Sequence, residues 1–360
     1  MKQYVILSHA RWSSAPSRIQ QLASRLNDAE ILYFQPAEHH RDTSWKEGGK
    51  QVRPNLTLYT LPPDGLLHQK LYFAEHRSVK KQAAFIEKQV RRQGFRNYVL
   101  WLTSPNQVLF LDDLQYRSLV YDCDRFWPPT LDSRESELAY AADVVFAASP
   151  LLKQRLSPCS ANVALIPNGV NFPMFSRASH PLPDDLAGLS TPILGFVGTI
   201  DAALDLSPVQ TAAAVHPEWN FVLVGPVQNC PAVQRLSALP NVFFLGERSI
   251  ADLPDYLGNF QVLLHLRKKG DAESDVIPIR LYEYLSTGHP IVSLLLPDEV
   301  EEFPDVIYSA HNSTEFVLLC EKALQENPEW VSPRRRDYGA GASWTSRTET
   351  IQQILNAIAL

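Results

Sequence analysis

An acid, a cation and a second acid stand close together in Asp275-Val-Ile-Pro-Ile-Arg280-Leu-Tyr-Glu283-Tyr-Leu-Ser-Thr-Gly288-His-Pro290. Pro278 suits the first turn of a short helix, and Gly288 with Pro290 would stop it before the apolar run Ile291–Leu296. At about 100° per residue, Ile277, Leu281 and Leu285 share one stripe, while Arg280 and Glu283 lie together on another side. Such a helix buries its apolar stripe and still aims a guanidinium and a carboxylate at one ligand. Its first turn adds unpaired N–H groups and a positive dipole end, which favour phosphate. A cation for phosphate and a carboxylate for sugar hydroxyls, three residues apart, describe a nucleotide-sugar site. A surface helix with an Arg/Glu pair is the alternative reading of this segment.

The elements that must position these groups follow from the periodicity. Short apolar runs (Tyr4–Leu7, Ile31–Phe34, Tyr98–Leu102, Leu119–Tyr121, Val144–Ala147, Val163–Ile166) alternate with amphipathic stretches at Arg18–Leu26, Phe73–Gln93 and Pro150–Leu156. Asp132-x-x-Glu135 reads as a capping box that opens a further helix to Ala142. A polar, proline-rich stretch at 176–191 breaks the pattern, which restarts at Ile193–Val197. It continues through strands at Phe221–Val224, Val242–Leu245, Val262–Leu266 and Ile291–Leu295, with helices between them and at Ser313–Gln325 and Thr345–Ile358. The last of these follows a glycine-bearing linker. Beta-alpha alternation of this kind implies mostly parallel sheets covered on both faces, in two successive doubly wound halves.

In open parallel sheets, ligands sit beyond the carboxyl ends of the strands. Gly198-Thr199, Gly225, Gly246 and Arg267-Lys268-Lys269 all follow strands of the second half, so glycines and cations converge on one crevice. No G-x-G-x-x-G or G-x-x-x-x-G-K-[ST] follows a strand, which argues against a dinucleotide oxidoreductase or a P-loop enzyme.

Composition narrows the classes further. With 360 residues, 45% apolar and 20% charged, the chain has room for two cored domains. A net charge of −6 argues against nucleic-acid binding. Basic clusters at Lys80-Lys81, Arg91-Arg92 and Arg334–Arg336 read as solvated surface or, less often, as contacts to phosphate or an anionic membrane face. The four scattered cysteines fit a reducing compartment and give no zinc or disulfide frame. The N-terminal apolar run is too short for a secretory signal, and no run spans a bilayer, so a cytoplasmic protein is expected.

Several words of the sequence resemble family 4 glycosyltransferases of the GT-B fold, especially the bacterial teichuronic-acid and exopolysaccharide transferases. They are Gly195-Phe-Val-Gly198, Trp219-Asn-Phe-Val-Leu-Val-Gly225-Pro226, Leu239-Pro-Asn-Val-Phe-Phe-Leu-Gly246, Leu253-Pro-Asp-Tyr-Leu and Pro278–Pro290. In the first half, Tyr121-Asp122-Cys123, Ala142–Pro150 and Pro167-Asn168-Gly169-Val170-Asn171 match in the same order, as does Ala342-Ser-Trp344-x-x-Arg347 near the C-terminus.

The resemblance implies an α/β GT-B protein, two Rossmann-like domains facing across a cleft. Residues 1–178 would be the acceptor-side domain, 179–191 a linker, 192–338 the nucleotide-sugar domain, and 339–360 a helix returning to the first domain. It implies transfer of a hexose-type sugar, with retention, from a nucleoside diphosphate sugar to a hydroxyl of a glycan or lipid-linked acceptor in surface polysaccharide synthesis. The sugar nucleotide is then a substrate, with no further cofactor and no metal expected, and peripheral membrane contact stays open.

Glu283 would receive the ribose hydroxyls, and Asp275 would face the donor sugar as the first acid of the pair. Arg280 and Arg267 would grip the diphosphate, with Gly198, Thr199, Gly225 and Gly246 around it. Asp275 is a methylene shorter than the usual glutamate. The loop after Gly198 holds Asp201 and Asp205 where many relatives carry Arg and Lys. His9 is the candidate for the family's first-domain histidine. Arg18, Gln21, Asp122 and Asp124 would contact the acceptor, and Trp12, Trp101 or Trp127 could stack on a sugar. An epimerase or phosphorylase on the same fold, or a non-catalytic sugar-nucleotide-binding protein, remain the rival readings.

Overall fold

A computed structural model describes residues 1–13, 15–64, 72–268, 276–294 and 302–358. The chain divides into two compact units: Met1–Pro167 with the terminal stretch from Trp344, and Asn168–Ser343.

Unit 1 runs β1 (Lys2–Leu7), α1 (Arg18–Ala23), β2 (Ala29–Gln35), β3 (Lys50–Arg53), β4 (Leu56–Thr60), α2 (Tyr72–Arg92), β5 (Val99–Leu102) and β6 (Ser118–Cys123). It continues with α3 (Asp132–Ala141), β7 (Val144–Ala147), α4 (Pro150–Leu156) and β8 (Val163–Leu165). Its strands form a sheet in the order β3-β4-β2-β1-β5-β6-β7-β8, parallel except for β3 on β4. The β3–β4 hairpin was not legible as strands, because β3 (Lys-Gln-Val-Arg) is an exposed polar edge with no apolar face. β5 to β7, by contrast, read plainly because every residue of those strands is buried.

Unit 2 runs α5 (Phe172–Phe175), β9 (Ile193–Val197), α6 (Ser207–Val215), β10 (Asn220–Val224), α7 (Ala232–Leu236), β11 (Val242–Gly246) and α8 (Leu253–Asn259). Then come β12 (Val262–His265), α9 (Ile279–Thr287), β13 (Ile291–Ser293), β14 (Tyr308–Ser309), α10 (Ser313–Leu324) and α11 (Pro328–Gly341). The sheet order is β11-β10-β9-β12-β13-β14, parallel throughout. Strand side chains alternate between two apolar layers. Val197, Val222, Val224 and Leu263 meet Leu257 of α8 and Leu281 and Leu285 of α9. On the other face Phe196, Leu223 and Leu264 meet Val209 of α6 and Phe316 and Cys320 of α10. α12 (Trp344–Ala357) packs back on α1 in unit 1, where Lys2 Nζ donates to Asn356 Oδ1 at 2.7 Å.

Three expectations are corrected here. Residues 168–191, read as the end of the first domain and a linker, belong to unit 2, where Val170, Phe175 and Leu186 are buried in its core. Arg248 binds Asp185 at 2.7 Å and Arg177 binds Asp255 at 2.9 Å, fastening this proline-rich stretch to α8 and the segment before it. The Asp132–Glu135 capping box does not form. Glu135 is buried and accepts from Tyr121 Oη at 2.8 Å while pairing with Arg155 at 2.7 Å. The glycine-bearing linker after residue 326 is the helix α11. Pro333, Gly339 and Gly341 depress its intrinsic propensity, and tertiary contacts override that. Gly339 lies so close to α9 that a Cβ there would come within 2.4 Å of Ser286 Oγ.

Candidate functional site

The strand order of unit 2 reverses between β9 and β12, so the chain leaves these neighbours in opposite directions and a crevice opens beyond their carboxyl ends. A cavity of about 370 Å³ occupies that position. Gly198 and Thr199 after β9, His265, Leu266 and Arg267 at the end of β12, and Pro278 and Arg280 at the start of α9 all line it. Four of the expected binding residues, Gly198, Thr199, Arg267 and Arg280, are thus brought together. Asp275 lies outside the described residues.

α9 is set in this place from three sides. Pro278 is its N-cap, one position earlier than a first-turn proline. Tyr284, fully buried, accepts the Val197 N–H at 2.9 Å, tying the middle of the helix to the end of β9. At the far end Gly288 takes the left-handed conformation (φ 80°), and a Cβ there would strike Ser332 Oγ at 2.2 Å. Arg336 donates to Thr287 O at 3.1 Å, and the buried Arg335 donates to Gly288 O at 3.4 Å and to Glu326 Oε2 at 2.7 Å. These cations satisfy the last carbonyls of α9 and complement the negative end of its dipole. The positive end faces the cavity.

Glu283 is placed differently from the expectation. It is 4% exposed, does not line the cavity, and forms a close ion pair with Arg280 on its own helix. Burial pushes its carboxyl above the usual range, and the Arg280 charge opposes that. Arg280 therefore stands between a buried carboxylate and the open cavity. Gly225 and Gly246 lie one layer behind the wall. Gly225 (φ 146°) donates to Gly246 O at 2.8 Å, and a Cβ on it would fall 1.9 Å from Gly198 O. Only glycine permits that approach, so Gly225 shapes the Gly198 loop rather than the ligand surface.

Two wall residues were missed. His265 is buried beside Ser293 Oγ (3.1 Å), and burial followed by the Arg267 charge lowers its pKa to about 4, so it is neutral at pH 7. A polar residue inside Val-Leu-Leu-His-Leu was the signal available for it. Asp201 also lines the cavity, its Oδ1 accepting the Ala203 N–H at 2.9 Å in a tight turn. Lys268 holds the same loop through a main-chain bond to Ala203 O.

Unit 1 repeats the logic. Its strand order reverses between β1 and β5, and a cavity of about 500 Å³ lies there, lined by His9 after β1 and Ser104 and Gln107 after β5. Glu38, His39, Asp64, Gln82 and Asn106 complete much of the wall. His9 Nδ1 lies 2.9 Å from Thr103 Oγ1, whose own hydroxyl donates to Leu7 O at 3.2 Å. Nδ1 is then the protonated nitrogen of the neutral ring. Burial first, countered by Asp124, leaves the His9 pKa below its ordinary value.

The four expected acceptor residues do not line this cavity. Arg18 and Asp122 are both buried and bond each other through three contacts of 3.0–3.2 Å. Burial raises the Asp122 carboxyl, with the Arg18 guanidinium opposing. Gln21 receives Arg25 at 2.7 Å. Asp124 pairs with Arg125 at 2.9 Å and lies 3.8 Å from His9 Nε2, so it reaches the cavity only through that ring. Gln20 and Gln35, not singled out from sequence, hold the loop after β1 by accepting the N–H groups of Ser13 and Trp12. Trp101 is core, Trp12 packs edge-on to Tyr33, and Trp127 packs edge-on to His9. Among the described residues no group of three His, Cys, Asp or Glu is placed to hold a metal. No helix among them is long and apolar enough to cross a membrane.

No family model matches the sequence. A curated relative, "Putative teichuronic acid biosynthesis glycosyltransferase TuaH" of Bacillus subtilis (strain 168), is 24% identical over 379 aligned residues, covering 95% of this chain and 94% of that protein. Among solved structures, a sucrose-phosphate synthase from Thermosynechococcus elongatus superposes with a TM-score of 0.76 at 15% identity, covering 100% of this chain and 99% of that one. An E. coli trehalose-6-phosphate structure bound with UDP-2-fluoro glucose gives 0.74 at 13% identity, over 98% and 99%. A UDP-forming α,α-trehalose-phosphate synthase from Burkholderia vietnamiensis gives 0.71 at 13%, over 98% and 96%. The architecture is therefore GT-B, as the sequence words implied, and the relative matched along nearly the whole chain carries the same resemblance to teichuronic-acid transferases. The chain thus has the GT-B fold, and along nearly its whole length it is similar to a protein named as a teichuronic acid biosynthesis glycosyltransferase.

Proposed function

We propose that the protein moves a hexose-type sugar, with retention, from a nucleoside diphosphate sugar to a hydroxyl of a glycan or lipid-linked acceptor of surface polysaccharide synthesis. The observation that carries this is the unit 2 cavity, where two guanidinium groups and the N-terminus of α9 meet at the strand reversal. Cleaving a glycosyl–phosphate bond leaves negative charge on the departing diphosphate and positive charge on the sugar. Arg280 and Arg267 are fixed donors for the first, and fixed donors need no reorganisation as that charge develops. Glu283, as the counter-ion of Arg280, holds the guanidinium fork in place for bidentate contact with phosphate. The teichuronic-acid relative supports the polysaccharide context, and the structures solved for UDP-sugar reactions support a nucleotide-sugar donor.

Unit 1 would take the acceptor. Its cavity wall has no Lys or Arg among the described residues, which favours a neutral sugar ring over a phosphorylated one. There the unprotonated His9 Nε2 can accept a hydrogen bond from a sugar hydroxyl.

The test is a panel of uridine, guanosine and thymidine diphosphate sugars, with transfer followed by nucleoside diphosphate release. Arg280→Ala is expected to lower kcat about 100- to 1000-fold with the best donor. Unchanged turnover in that variant rejects the assignment.

A further inference from the structure

Charge is unevenly divided between the two units. Unit 1 holds 22 Lys and Arg against 17 Asp and Glu, net +5, whereas unit 2 holds 11 against 22, net −11. Much of the positive excess lies on α2, whose 21 residues extend about 31 Å. Arg77, Lys80, Lys81, Lys88, Arg91 and Arg92 are all exposed, and Ala84 is the other exposed residue among the described side chains of the helix. At about 100° per residue these positions fall within one arc of about 120°.

Of the two carboxylates of the helix, Glu75 lies on the opposite side and Glu87 at the edge of the arc, both engaged by residues outside the helix. Glu75 receives Arg134 through bonds of 2.8 and 2.9 Å. Glu87 accepts from Tyr98 Oη at 3.3 Å and from the Gln115 N–H at 3.2 Å. A helix that is merely solvated commonly interleaves Glu and Lys four residues apart; here the one such pair is Glu87 with Arg91 at 3.9 Å, and the other cations of the face have no acid of the helix four residues away. The strip also widens beyond the helix, since the Lys46 and Lys81 ammonium groups lie 5.6 and 5.2 Å from the Trp45 ring centroid.

We infer that this face of α2 docks unit 1 on an anionic phospholipid surface. A straight row of cations matches a plane of negative headgroups, and each such residue adds roughly fivefold to partitioning. Among the described side chains no large apolar one stands at the exposed positions from Arg77 to Arg92, so contact along this stretch is adsorption at headgroup depth rather than insertion. The net charge of −6 and a single half-buried ring, Trp45, in place of a series of aromatic platforms for successive bases favour lipid over single-stranded nucleic acid as the polyanion. Docking would hold the enzyme where a lipid-linked or membrane-bound glycan presents its hydroxyl.

Flotation of the purified full chain tests this, using phosphatidylcholine vesicles with and without about 30% phosphatidylglycerol at roughly 0.1 M salt. Binding to the anionic vesicles alone, released at roughly 0.5 M salt, is expected. Lys80→Ala/Lys81→Ala/Lys88→Ala should lose about a hundredfold in partitioning. It should keep its Tm and its turnover of soluble substrates, while Arg334→Ala in unit 2 should float like the parent. Equal flotation on neutral vesicles, no flotation, or a triple variant that still binds overturns the inference. Tighter binding to an oligonucleotide than to the vesicles at the same salt also overturns it.

Discussion

Arg280 is the residue on which the proposed donor site turns, and its surroundings define what it can do. One side of its guanidinium is neutralised by Glu283, whose own carboxyl is pushed up by burial, and the other lines the cavity. Glu283→Gln keeps the shape of the side chain but removes the charge that orients Arg280. Turnover should fall about tenfold or more while the fold stays intact, because a charge-assisted bond is replaced by a neutral one. The check is kcat measured beside Tm; a drop in Tm with unchanged kcat would give Glu283 a purely structural role. Arginine and glutamate three residues apart on a helix could be read from sequence, and so could the strand-end glycines and Arg267. The buried pairing of Arg18 with Asp122 could not. These residues are 104 positions apart, and no local pattern tells a paired carboxylate from one that awaits a substrate.

Among the elements, α9 shows how far patterning carries. Its apolar stripe, its proline start and its glycine stop specify a short amphipathic helix, and the structure has it at Ile279–Thr287. What fastens it was hidden. Tyr284 lies on the buried face and reads as one more aromatic core residue, yet its hydroxyl takes the Val197 N–H. Tyr284→Phe leaves that buried donor unpaired, at a cost of about 1–3 kcal/mol. Since Val197 directly precedes Gly198, the variant should also raise the donor KM, whereas a merely destabilising change would lower Tm alone. α11 was illegible for the opposite reason. Pro333, Gly339 and Gly341 signal a loop, and only the docking of Gly339 on Ser286 and the buried Arg335–Glu326 pair make a helix there.

For the whole molecule, the two-unit α/β plan followed from beta-alpha alternation, but the partition did not, because composition marked a proline-rich stretch whose apolar residues are in fact core. Stability should also respond to pH through His216. Its ring stacks on Trp219 at 3.7 Å and bonds Glu218 at 2.8 Å and Glu321 at 2.9 Å. Desolvation opposes its charge, but the two carboxylates prevail and raise its pKa above 6.5. A raised folded-state pKa means the contribution is fully present below about 6.5 and is lost as pH climbs through the folded value. Thermal scans should show the Tm gap between the parent and His216→Gln narrowing from pH 6 to pH 8. A gap that is constant with pH would remove the charge from the explanation.

α12 is grouped with the unit that starts the chain, although all of Asn168–Ser343 intervenes. During synthesis, unit 2 emerges as one uninterrupted stretch and can complete its sheet in order. Unit 1, begun first, must wait with its α1 flank uncovered until the ribosome has passed the whole of its neighbour. The half that is translated earliest is therefore the half that finishes last.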